Sequence, residues 1–168
     1  MEQEEKIIGY IAGIMRTGFH LRGTSVLSVG KVYTPENAMI ITNKRIIFIT
    51  VPLPGAGKII ANVDISMWQW LLAKKDIENK LKEMIESMPI EEILQSDPKN
   101  FFIPYDEIQK IKFGRISRSI KIIKKDGKRL SYSIRDKNDF AKAKSLFKNL
   151  LKNQSWKEQN LKINSNSC

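Results

Sequence analysis

An α+β fold, mainly β, is predicted by three features of this 168-residue sequence. β-branched runs broken by tight turns occupy residues 6–62 and 99–135, and a segment of helical period at about 64–98 interrupts them. An amphipathic helix then closes the pattern at 136–152.

The first hairpin is AMIITNKRIIFITV at 38–51, two apolar runs separated by Asn43-Lys44. Thr42 and Arg45 flank a two-residue loop, and Asn tolerates the left-handed backbone that such a loop uses. In this register Met39, Ile41, Ile46 and Phe48 share one face, while Ala38, Ile40, Ile47 and Ile49 share the other. A sheet wall facing water alternates apolar with polar, so something must cover the second face. The interrupting helix is the first candidate and a second copy of the chain is the next.

The second hairpin is SIKIIKKDGKRLSYSIR at 119–135. A two-residue Asp126-Gly127 loop would set Lys121 opposite Tyr132, on the apolar face. A three-residue loop, Lys125-Asp126-Gly127, pairs Ile122 with Leu130 and Ile120 with Tyr132, with Gly127 as the left-handed residue of a bulged turn. The apolar pattern selects the second. Between the hairpins, IQKIKF at 108–113 reads as a strand after the Pro-containing kink FFIPYDE.

The closing helix takes Asp136 or Asn138 as its cap, with Phe140, Ala143, Phe147, Leu150 and Leu151 along one stripe. In the interrupting segment, residues 66–88 set Trp70, Ala73, Ile77, Leu81, Met84, Ile85 and Met88 on one helical face, with Trp68 and Leu72 on the opposite side. Pro89 suits the start of a short second helix, PIEEILQ.

Charge follows the same division. The net charge is +11, but residues 1–62 carry +3, residues 63–98 carry −4 and residues 99–168 carry +12. The apolar stretch IIGYIAGIM at 7–15 is far below the roughly 20 residues of a membrane span, and it follows acidic MEQEEK rather than a basic leader. Cys168 has no partner in the chain and His20 stands alone, which argues against a disulfide framework and against most metal or imidazole-based sites. The expected location is the cytoplasm.

The order of these motifs resembles the pleckstrin-homology-like (PH-like) domains of bacteria and archaea. The resemblance lies in residues 41–48 (ITNKRIIF), 103–108 (IPYDEI), 125–128 (KDGK) and the helix at 136–152. It implies a small, partly open antiparallel barrel with one end covered by the C-terminal helix, here with a helical insert at about 64–98. One PH-like domain at 1–152 and a flexible polar tail at 153–168 follow. Eukaryotic relatives hold inositol phosphates with basic residues of the first inter-strand loop. Here that loop, at about 16–31, offers only Arg16, Arg22 and Lys31.

No catalytic constellation stands out. Gly30-Lys31 and Gly57-Lys58 lack the Ser or Thr and the spacing of a phosphate loop. Asp106-Glu107 reads as a solvated pair, and no metal site, cofactor or small-molecule substrate is expected. Basic residues are the most functional feature: Lys110, Lys112, Arg115, Arg118, Lys121, Lys124, Lys125, Lys128 and Arg129 crowd one edge. Of these, Arg115, Arg118, Lys121, Lys124, Lys125, Lys128 and Arg129 are the candidate anion-binding set. Lysines on exposed strands also guard against aggregation, which is the plain alternative.

The leading functional expectation is a non-enzymatic interaction domain that binds a protein partner or itself, with Trp68, Trp70 and Leu72 as candidate contacts. The alternative is peripheral attachment to anionic lipid at the inner face of the membrane. Against it stands the negative charge of the insert. Nucleic acid ranks third, because only Phe113 and Tyr132 could stack on bases.

Overall fold

The computed structural model describes residues 4–16, 36–52 and 67–153, the side chains of 67–72 and 151–153 excepted. His20, Arg22, Lys31, Cys168 and all but the first residue of the predicted tail fall outside it. The fold is α+β and mainly β, with two antiparallel four-stranded sheets, three helices and no closed barrel among these residues.

The first sheet has the order β1 (Ile7–Ala12), β3 (Ala38–Thr42), β4 (Arg45–Ile49), β5 (Phe101–Pro104). The second has the order β2 (Ile14–Arg16), β8 (Arg129–Ile134), β7 (Ser119–Lys124), β6 (Ile108–Gly114). Two corners carry the chain from one sheet to the other. At the first, Gly13 adopts a φ of +72°, and its N–H and that of Ile14 both donate to the Asn37 carbonyl. At the second, Pro104 ends β5 and Tyr105–Glu107 form a 3-10 turn. The Tyr105 hydroxyl pins this corner by donating to the Thr42 carbonyl at 2.7 Å. Burial, followed by the charge of Glu5, pushes that hydroxyl well above its ordinary pKa, so it stays a donor.

Both hairpins take the registers that the apolar pattern predicts. Met39 pairs with Phe48 and Ile41 with Ile46; Ile122 pairs with Leu130 and Ile120 with Tyr132. Gly127 has a φ of +84° in the second turn. The first turn departs from expectation. Asn43 is not left-handed: among the described residues Arg118 is the only non-glycine with positive φ. Instead, the Thr42 hydroxyl accepts from the Lys44 and Arg45 backbone N–H groups. The Asn43 side chain reaches the N-terminal segment, accepting from Lys6 N–H at 2.8 Å and donating to the Glu4 carbonyl at 3.0 Å.

The main core lies between the sheets. Met39, Ile41, Ile46 and Phe48 meet Ile111, Ile120, Ile122, Tyr132 and Ile134 there. Helix α3 (Lys137–Asn153; labelled in chain order after the two helices of the insert) closes this core with Phe140, Ala143, Phe147 and Leu150. Asp136 caps it, its carboxylate accepting from the Asn138 and Asp139 N–H groups. Gly9 on β1 is where the helix comes closest, since a Cβ there would lie 2.8 Å from Leu146 Cδ1.

A second core covers the other face of the β3–β4 hairpin. Helices α1 (Met67–Ser87) and α2 (Ile90–Gln95) lay Ile77, Leu81 and Ile93 over Ala38, Ile40, Ile47 and Ile49, with Met84 and Ile85 at the margin. Met88, at the end of the predicted stripe, is exposed. Fully burying side chains such as Ile77 and Leu81 is worth roughly 1.5–3 kcal/mol each, which is why the helix lies on the sheet. The cover is supplied by the same chain.

Ion pairs fix this cover at two places. Lys74 of α1 contacts Asp136 and Asp139 at the start of α3, at 3.3 and 2.5 Å. Arg45 of β4 holds Glu5 through two contacts of 2.9 and 2.8 Å and also pairs with Glu91 of α2. Burial alone would push the Glu5 carboxyl up, but hydrogen bonds from Arg45 and Thr42 outweigh it and hold Glu5 below its ordinary value.

Candidate anion-binding face

Strands β7 and β8, and β6 beyond the irregularity between Ile108 and Lys110, alternate, so the two faces of this sheet differ in chemistry. Ile111, Ile120, Ile122, Tyr132 and Ile134 point into the core, while the intervening residues point away from it. The outward face is built in rows across the register. Lys110 pairs with Ile123, which pairs with Arg129; Lys112 pairs with Lys121, which pairs with Ser131; Gly114 pairs with Ser119, which pairs with Ser133. On β2, Met15 extends the last row beside Ser133.

Lys112, Lys121 and Arg129 are exposed and Lys110 is half-buried. None of the four has an acidic partner among the described residues. No acidic residue occurs from 108 to 125. The central row sets Lys112 directly opposite Lys121. Like charges facing each other across a ladder destabilise it, by roughly 0.2–1 kcal/mol on the scale of cross-strand pairs.

The seven predicted anion-binding residues separate into three groups. Lys121 and Arg129 stand on this face, where Lys110 and Lys112 join them. Arg115 and Arg118 are exposed in the turn between β6 and β7. Lys124, Lys125 and Lys128 belong to the β7–β8 turn at the opposite end. There Lys124 contacts Glu107 at 2.9 Å and Asp126 at 3.7 Å, and Lys128 contacts Asp126 at 3.4 Å. The hydrogen bond to Glu107 is the chief cause of a raised Lys124 pKa, and the Lys128 N–H is the chief cause of a lowered Asp126 pKa. Lys124 and Lys128 thus already have carboxylate neighbours, and Glu107 is an ion-pair partner rather than half of a solvated pair. Lys125 is exposed.

The two aromatics that could have stacked on bases are turned inward. Tyr132 is fully buried and stacks on Phe48, and Phe113 packs against Phe140 and Phe147. The Tyr132 hydroxyl donates to the buried Glu36 carboxylate at 2.5 Å, and Glu36 also pairs with Arg16 at 3.2 Å. Burial, then the Glu36 contact, pushes the Tyr132 pKa far up.

Trp68, Trp70 and Leu72 lie in the first turns of α1 by backbone, with side chains beyond the described residues. Among the described residues no group of three or more His, Cys, Asp or Glu could hold a metal, and no helix is long and apolar enough to cross a membrane.

Sequence reading missed one feature of this region. Ile116, between the two arginines, is fully exposed. The signal was present in RISR at 115–118, a hairpin turn without Gly, Pro, Asn or Asp.

Comparison with protein-family models, curated proteins and solved structures gives no match.

Proposed function

We propose that this chain is a non-enzymatic, PH-like interaction module whose working surface is the outward face of the second sheet and whose partner is anionic. The order of strands supports the PH-like reading, as do the two bent corners shared by the sheets and the closing helix. In a partly open PH-like barrel, β1–β2 and β5–β6 would each be one long bent strand belonging to both walls.

One observation carries the functional reading. Lys112 and Lys121 face each other in register on an exposed sheet, with Lys110 and Arg129 in the adjoining row and no carboxylate to relieve them. A single acidic residue at either central position would stabilise the ladder. Retaining two lysines keeps a positive surface at the fold's expense, as functional surfaces commonly do. The apolar hairpin face, which gave self-association its rationale, is covered by α1 and α2 of the same chain. A protein partner or a second copy therefore loses that ground, and an acidic surface gains it.

The insert no longer opposes the reading. It packs on the outer face of the first sheet, with the main core and the second sheet between it and the basic face. Binding at the basic face can thus proceed with the acidic helices turned away.

Lys121→Glu separates stability from function. Opposite Lys112 the new carboxylate should raise stability, by a few tenths to about 1 kcal/mol. The same change should weaken binding to acidic vesicles or polyanions and flatten its dependence on salt. Denaturant melts and a salt series of vesicle and polyanion co-sedimentation check both halves. A variant that is more stable and binds as well as the parent would contradict the assignment of this face.

A further inference from the structure

We infer that the anionic partner is a lipid bilayer surface, and that the β6–β7 turn enters it with Ile116 as an apolar anchor between Arg115 and Arg118. This rests on the anionic-partner reading above and adds to it the class of partner and the point of contact.

A lone exposed aliphatic residue is ordinary on a protein surface. This one is not ordinary in its setting. Ile116 is fully exposed at the tip of a hairpin, where no described residue shields it. The turn is made from Arg-Ile-Ser-Arg, and Arg118 holds a φ of +44°, a conformation in which Gly or Asn sits with less strain. The neighbouring backbone is arranged around it: a Cβ on Gly114 would lie 2.7 Å from the hydroxyls of Ser117 and Ser119, and the Arg118 carbonyl accepts from Ile134 N–H at 2.8 Å. Gly, Pro, Asn and Asp are absent from residues 115–118, and a bulky apolar side chain between two arginines stands in the turn.

The surrounding chemistry matches a bilayer interface better than a nucleic acid. Arg115 and Arg118 would meet headgroup phosphates beside the inserted tip, with Lys112 and Lys121 three residues behind them on the same sheet. Each cation near an acidic membrane contributes roughly tenfold or less to partitioning, so the four act together. Met15, also exposed, lies in the row of the outward face that borders this turn. The outward rows hold no aromatic side chain on which a base could stack. An aliphatic tip gains little from the charged sugar–phosphate backbone, whereas it gains from leaving water for the acyl boundary.

The test uses the full chain with Cys168→Ser, so that one introduced cysteine can carry an environment-sensitive fluorophore. Ile116→Cys is labelled, with labelled Lys148→Cys on α3 as the reference site, and each is mixed with phosphatidylcholine vesicles with and without phosphatidylserine. Emission at 116 should rise several-fold and shift to the blue only with the acidic vesicles, and emission at 148 should stay unchanged. Unlabelled Ile116→Ser should melt with the parent yet sediment with acidic vesicles about tenfold less well. If vesicle binding needs the cations while the label at 116 stays in water and Ile116→Ser binds normally, the anchor is wrong and the anionic-surface reading stands. If the parent ignores acidic vesicles but binds RNA or an acidic protein through the same cations, the bilayer is wrong. If it binds none of these, both readings fall together.

Discussion

Phe147→Ala should destabilise the protein by about 3–5 kcal/mol, the range for truncating a buried aromatic side chain. Phe147 is 1% exposed and belongs to the core between the sheets, and Phe113 packs against it with ring centroids 5.8 Å apart. Phe113 comes from β6 and Phe140, on the preceding turns of α3, touches the same ring. Removing Phe147 therefore leaves a cavity where helix and second sheet meet. In a chain of this size the loss corresponds to a fall in melting temperature of roughly 10 °C. Thermal unfolding of the variant beside the parent measures it. A melting temperature within a degree or two of the parent would mean that α3 does not close the core.

Replacing residues 66–97 by a short Gly/Ser linker should leave the sheets folded but unprotected. Thr50 and Asn100, beyond the two ends of the replaced segment, are held together by the Thr50 N–H donating to Asn100 Oδ1 at 2.8 Å. What the replacement exposes is Ala38, Ile40, Ile47 and Ile49, all fully buried under Ile77, Leu81 and Ile93. It also removes Lys74 from Asp136 and Asp139, and Glu91 from Arg45. The shortened protein should keep its β signal by circular dichroism, bind a hydrophobic dye and self-associate, as contiguous apolar patches of several hundred Å² do. A shortened protein that stays monomeric and dye-negative would show that the insert shields nothing.

The hairpin registers were legible in the sequence because a one-residue slip would have moved whole apolar sets to the wrong face. The two-sided apolar character of residues 38–49 likewise predicted a cover, and the helical stripe through Ile77 and Leu81 predicted its source. What the sequence could not reveal depends on contacts between distant segments. Asn43 works through Glu4 and Lys6, which reach it only once β1 is paired with β3. Lys124 looked like any other cation of its hairpin, because Glu107 is brought to it by the corner between β5 and β6. Alternation can assign a cation to a face but cannot tell whether a carboxylate waits there. For Lys112 and Lys121 the strand pairing supplies the answer, since each is set opposite the other. The exposure of Ile116 was not legible because a turn residue belongs to neither strand's alternation, so no periodic pattern assigns it a face.

The outward face of the second sheet, and not the overall positive charge, should bind the anionic partner. Two double variants of equal net charge compare the alternatives: Lys121→Glu with Arg129→Glu on the sheet, and Lys142→Glu with Lys148→Glu on the exposed side of α3. Co-sedimentation with phosphatidylserine-containing vesicles at one fixed salt concentration, below 0.15 M so that screening does not hide the effect, is the measurement. The sheet variant should lose most of the parent's binding and the helix variant should retain most of it. Equal losses in the two variants would mean that binding follows net charge alone, and the claim for this face would be contradicted.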